Sequence, residues 1–219
     1  MSLFRIKICG VTRIDDALAV ADAGADAIGF NFYAGSRRCI DLGRAEAIVA
    51  SLPAGIAKVG VFVNAAAEEI RRAAETLRLD FVQLHGDEPA DFCADLGGLD
   101  FIRAFRLGSD GWRPLVDYLD RCRELRAAPV AVLADACQPG TYGGTGQAAD
   151  WSLARSYHDL SVGLPLILAG GLNASNVAAA VNAVRPFGVD TASGVEASPG
   201  EKDPQQVAAF VEAARRSLS

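Results

Sequence analysis

The stretch Leu3-Phe4-Arg5-Ile6-Lys7-Ile8-Cys9-Gly10 alternates apolar and polar residues and stops at a glycine. A period of two belongs to a strand, whose successive side chains point to opposite faces. Phe4, Ile6 and Ile8 form one set, and Arg5, Lys7 and Cys9 form the other. In a closed barrel the outward face of a strand meets apolar helices. Phe4, Ile6 and Ile8 are then expected outside, and Lys7 and Cys9 inside.

The rest of the chain supports the barrel. Short apolar runs at residues 3–9, 27–33, 58–63, 81–84, 101–105, 130–135, 166–169 and 189–192 read as strands. Helical patterns follow each of them, at residues 14–23, 44–51, 66–77, 89–96, 112–125, 151–157, 174–184 and 204–217. Strands alternating with helices of this length signal parallel βαβ units. Eight units in 219 residues predict an α/β fold, a (β/α)8 TIM barrel, as one domain spanning residues 1–219. An open doubly wound sheet is the alternative, but it has fewer strands and a nucleotide-binding first turn. Gly143-Gly144-Thr145-Gly146 lacks both the lysine of a P-loop and the spacing of a dinucleotide fingerprint.

Composition narrows the partners. Half of the residues are apolar and the net charge is −6. That balance argues against nucleic acid, although a local arginine or helix N-terminus can still hold a small anion. The five cysteines include no CxxC pair, so neither a disulfide framework nor a zinc site is expected. Reduced thiols in a cytoplasmic enzyme are the simpler reading. Residues 1–7 lack the apolar core of a signal peptide. The uncharged run over residues 160–184 is broken by Pro165, Gly170, Gly171 and Asn173, and reads as strand, loop and helix instead of a membrane span. No membrane partner is expected. Monomer and homodimer stay equally open.

Strand parity also places Gln83 and His85 inside at strand four, Arg103 inside at strand five and Asp135 inside at strand six. Polar groups thus converge at the C-terminal strand ends, where sites of this fold are built. Gly170-Gly171 after strand seven and Ser193-Gly194 after strand eight are small enough for backbone N–H groups to approach an anion. Those two loops commonly hold phosphate, so a phosphorylated small molecule is the expected ligand. Cys9 beside Lys7 is either a small buried hydrophobe or a thiolate able to take a proton from carbon. Asp135 either pairs with a cation or serves as an acid. Arg37 and Arg38, after strand two, can grip a carboxylate. His85 has no partner at metal-ligand spacing, so no metal is expected. Residues 136–150 form the longest Gly-rich connection and are expected to cover the site.

Lys7-Ile8-Cys9-Gly10-Val11-Thr12, Val82-Gln83-Leu84-His85-Gly86, Gly143-Gly144-Thr145-Gly146, Ala169-Gly170-Gly171-Leu172, Asp190-Thr191-Ala192-Ser193-Gly194-Val195-Glu196 and Pro199-Gly200-Glu201-Lys202-Asp203 together resemble the phosphoribosylanthranilate isomerase family of tryptophan synthesis. The motifs run in order along nearly the whole chain. The resemblance implies an Amadori rearrangement that needs neither metal nor cofactor. It implies Cys9 as general base and Asp135 as general acid. Arg38 matches the arginine that holds the anthranilate carboxylate, with Arg37 beside it leaving that assignment open. Gly170, Gly171, Ser193 and Gly194 match the phosphate cradle, Gly143, Gly144 and Gly146 the loop over the substrate, and Asp190 a further polar position. The chain departs from the family at Ser36-Arg37-Arg38, where Ser-Pro-Arg or Ser-Lys-Arg is frequent, and at Thr191-Ala192, where Val-Ser is common. Two other readings stay open: a histidine-pathway aminoaldose isomerase, alone or as a bifunctional enzyme, and a non-catalytic phosphate-binding barrel.

Overall fold

A computed structural model describes residues 2–108, 110–136 and 151–218. Eight parallel strands close into a barrel: β1 (Ile6–Cys9), β2 (Ala27–Asn31), β3 (Ala57–Phe62), β4 (Phe81–Leu84), β5 (Phe101–Leu107), β6 (Ala131–Ala136), β7 (Leu166–Leu168) and β8 (Gly188–Thr191). The seam pairs β1 with β8, Ile6 opposite Val189 and Lys7 opposite Asp190. Helices α1 (Ile14–Asp22), α2 (Leu42–Ser51), α3 (Ala67–Leu77), α4 (Arg113–Glu124), α5 (Trp151–Arg155), α6 (Val177–Val184) and α7 (Pro204–Ser217) lie along the chain between or after the strands. A small antiparallel hairpin, β9 (Glu196–Ser198) with β10 (Glu201–Lys202), follows β8. The predicted cover residues 143, 144 and 146 lie outside the described residues.

Local chemistry explains where elements begin. The Asp41 side chain accepts a hydrogen bond from the Arg44 N–H, so α2 starts at Leu42, two residues before its apolar pattern does. Asp203 caps α7 in the same way and is followed by Pro204, which suits the first helical position. In α3, Ile70, Ala73, Ala74 and Leu77 are buried at helical spacing, and Glu68 and Glu69 sit in the first turn where the helix dipole favours them. Three predicted helices differ. The one expected over residues 151–157 is α-helical to Arg155 and continues as a 3-10 turn, Ser156–Asp159. The segment after β4 is a 3-10 helix, Ala90–Leu96. The helix expected from residue 174 starts at Val177, because Asn173 and Asn176 side chains accept bonds from nearby backbone N–H groups and keep the preceding turn irregular.

The core has an inside and an outside. Ala27, Ala57, Val59, Phe81, Ile102, Ala104, Ala131, Leu133, Ile167 and Ala169 fill the barrel. Ile6, Ile8, Ile28 and Phe30 face the helices. Phe4, expected on that outer face, instead belongs to the interior cluster, edge-on to Phe81. It precedes the first strand residue, so the alternation does not bind it. Arg103 also departs from expectation. Its neighbours Ile102 and Ala104 take the inward positions, and Arg103 turns outward over the Tyr118 ring of α4 to pair with Glu88 at 2.7 Å.

Candidate active site

The polar residues of the barrel gather at the C-terminal strand ends. One cavity is lined by Cys9, Asn31, Tyr33, Ser36, Arg38, Gln83, His85, Asp135, Gly170, Gly171, Asp190 and Ser193, among others. Apolar Val61, Val63 and Ala169 complete the wall. Residues from seven of the eight strands or their following loops therefore meet in one place, as the fold favours.

At the floor, Lys7 is wholly buried and donates to Asp190 Oδ1 at 2.8 Å. Burial works against its ammonium, but the Asp190 carboxylate and the Cys9 sulfur outweigh that cost and hold the proton more firmly than usual. Cys9 ends β1 above it. Burial pushes the Cys9 thiol up, and the Lys7 ammonium opposes that rise. Room for this pair comes from β2. A Cβ on Gly29 would lie 2.9 Å from Cys9 Sγ and 3.1 Å from Lys7 Cε, so a side chain there would displace one or both.

Across the cavity, Asp135 Oδ2 is 3.0 Å from His85 Nε2, and His85 Nδ1 is 2.8 Å from Gln83 Nε2. An amide donating to Nδ1 leaves the imidazole proton on Nε2, where it donates to Asp135. Gln83 Oε1 is buried with no hydrogen-bond partner among the described residues. A turned amide would instead accept from Nδ1–H and leave Nε2 to accept from a protonated Asp135.

The loops after β7 and β8 meet at the Leu172 carbonyl. Thr191 Oγ1 donates to the Leu172 carbonyl at 2.6 Å, and a Cβ on Gly194 would fall 1.8 Å from that same oxygen. Only glycine allows this approach. Gly170, Gly171, Ala192 and Ser193 then line the cavity, whereas Gly194 serves the loop contact behind them.

The β2 loop supplies the cation. Arg37 is exposed and Arg38 half-buried in the cavity wall. Arg38 Nε and Nη2 each donate to Glu196 at 2.7 Å. Glu196 in turn accepts from the Lys202 ammonium at 2.8 Å. The Glu196 bonds hold the Arg38 guanidinium firmly protonated, while burial pushes the Lys202 ammonium down.

Strand parity brought Lys7, Cys9, Gln83, His85 and Asp135 into the site. It did not single out Gly29, Glu196 or Lys202 for their contacts. Glu196 and Lys202 lie on a hairpin whose return over the β1–α1 loop has no local signature. Among the described residues no cluster of His, Cys, Asp and Glu could hold a metal ion, and no helix is long and apolar enough to cross a membrane.

Residues 6–213 match the family model for N-(5'-phosphoribosyl)anthranilate isomerase. The N-(5'-phosphoribosyl)anthranilate isomerase of Pseudomonas putida is 46% identical over 217 residues, covering 99% of this chain and all of that one. Among solved structures, the phosphoribosyl anthranilate isomerase of Thermotoga maritima superposes with a TM-score of 0.83 at 38% identity, over 98% of this chain and 100% of that one. A phosphoribosyl anthranilate isomerase structure in complex with reduced 1-(o-carboxyphenylamino)-1-deoxyribulose 5-phosphate superposes with a TM-score of 0.80 at 37% identity, over 98% of this chain and all of that one. A barrel whose cavity joins a thiol, a carboxyl and two glycine-lined loops, matched end to end by these relatives, belongs to the phosphoribosylanthranilate isomerase family.

Proposed function

We propose that Cys9 and Asp135 carry the family's reaction in this chain, the conversion of N-(5'-phosphoribosyl)anthranilate to 1-(2-carboxyphenylamino)-1-deoxyribulose 5-phosphate in tryptophan biosynthesis. The observation that carries this reading is the placement of a thiol and a carboxyl on β1 and β6, facing one cavity. The reaction needs an acid and a base at two atoms of one sugar.

Asp135 gives its proton to the ring oxygen as the C1'–O bond breaks, leaving a protonated Schiff base between C1' and the anthranilate nitrogen. The Cys9 thiolate then takes the C2' proton. The electrons of that C–H bond form the C1'=C2' double bond and neutralise the nitrogen. The enol collapses to the ketose as C1' gains a proton, which the Cys9 thiol can return, and the C2' hydroxyl loses one, which restores the Asp135 acid. No covalent bond to sulfur forms. Lys7 stabilises the thiolate, and His85 Nε2, itself held by Gln83, orients the Asp135 carboxyl. Gly170, Gly171 and Ser193 hold the phosphate, with Gly194 keeping their two loops together, and Arg38 receives the ring carboxylate. Fixing both ends of the substrate places C2' between acid and base. Asp190 acts through Lys7. A cytoplasmic setting suits the thiols of Cys9, Cys39, Cys93 and Cys122, which are all free.

Two variants test the assignment. Cys9→Ala should lose at least about a hundredfold in kcat, the lower range for a missing general base. Asp135→Asn should keep its affinity for the reduced product analogue while turnover, followed by loss of anthranilate-type fluorescence, collapses. Full activity in either variant removes that residue from its role.

A further inference from the structure

The β9–β10 hairpin takes no part in the proton transfers, yet it carries a lysine whose side chain is entirely buried. Lys202 Nζ donates to the Ala192 carbonyl at 2.9 Å and to Glu196 Oε1 at 2.8 Å. Asp16 accepts from the Lys202 backbone N–H at 3.0 Å, and Thr12 Oγ1 donates to the Gly200 carbonyl at 2.6 Å. The hairpin is therefore pinned to the start of the chain, with its ammonium fixed beside Glu196.

That placement changes what Arg38 can offer. Glu196 engages the guanidinium with both carboxylate oxygens, at Nε and at Nη2. Among the described residues Nη1 makes no hydrogen bond. An arginine paired in this way is neutral as a unit. An anion approaching Nη1 would feel the guanidinium and the carboxylate behind it with opposite sign, and at low local dielectric both forces are large. Lys202 cancels the Glu196 charge. Arg38, Glu196 and Lys202 together then keep one net positive charge, with Arg38 exposed to the cavity and Lys202 hidden behind it.

We propose that Lys202 is a specificity-determining residue, acting through Glu196 to give the Arg38 site the net positive charge that selects a substrate bearing a ring carboxylate. The inference rests on the reading of Arg38 as the carboxylate anchor. Glu196 is a positioning residue, holding two guanidinium nitrogens so that the third is presented in one orientation.

The test uses two stable ligands, the reduced product analogue and its counterpart without the ring carboxylate, and compares their Kd ratio in purified full-length variants. Lys202→Met should lower the preference for the carboxylated ligand about tenfold and leave the decarboxy ligand nearly unchanged. Glu196→Gln combined with Lys202→Met restores one net positive charge and should recover most of that preference. Lys202→Gln replaces Lys202→Met if the latter does not fold. Equal loss for both ligands in the Lys202 variant, or no recovery in the double variant, overturns the proposal. Arg38→Met separates it from the reading beneath it. If Arg38→Met weakens both ligands equally, Arg38 is not the anchor and both ideas fall. If Arg38→Met is selective and Lys202→Met is not, the anchor stands and the role of Lys202 does not.

Discussion

Cys9 sits between opposing influences. Burial raises its thiol above the usual range, and Lys7 and Lys202 oppose that rise without cancelling it. Near neutrality the thiol form therefore prevails in the free protein, and the thiolate fraction grows as pH rises. With the thiolate as base, kcat/KM should climb with pH on its lower limb. Cys9→Asp places a group there that ionises at lower pH, so the climb should shift to more acidic values even where the maximum rate falls. A pH profile for both proteins checks this, and an unmoved limb would assign it to another group. Lys7 and Cys9 were legible in the sequence because a two-residue period in one strand marks which side chains share a face. Glu196 and Lys202 were visible only as family motif residues. Arg38, the partner of Glu196, is 158 residues away along the chain, and no periodicity encodes such a contact.

At the level of elements, the same alternation that placed β1 failed at β5. Residues 101–107 run Phe-Ile-Arg-Ala-Phe-Arg-Leu, and both parities are largely apolar because the strand is covered on both sides. Arg103 was read inward, but its guanidinium goes outward to Glu88, which also accepts from the backbone N–H groups of Asn64 and Gly86. This buried pair ties the loops after β3 and β4 to β5. Removing one partner strands the other charge. Glu88→Ala should cost about 3 kcal/mol or more of stability, read by urea denaturation. Replacing Glu88 and Arg103 together by apolar residues should cost less than Glu88→Ala alone, because no unpaired charge remains. A double variant as unstable as the single would show that the backbone bonds to Glu88, and not the ion pair, hold these loops.

For the whole molecule, eight repeats of strand and helix were readable because each unit carries its own apolar pattern and its own stop signals. Closure of the ring was an inference from their number, and the pairing of β1 with β8 completes it. That seam brings Lys7 to Asp190, Thr12 to Gly200 and Asp16 to Lys202, contacts between the two ends of the chain. Long-range pairings of this kind carry the largest loop-closure entropy and form slowly. Helices and neighbouring strands can assemble before the ring shuts, whereas Lys7 has no Asp190 partner, and Cys9 no loop after β8 facing it, until it does. During refolding from urea, circular dichroism should therefore recover ahead of isomerase activity. A Thr12→Ala variant, which loosens the seam without touching the cavity, should widen the interval between the two signals. Coincident recovery would mean that the ring closes as early as its parts form. Catalytic competence in this barrel is thus a property of topology as well as of side chains, gained at the moment when the first strand meets the last.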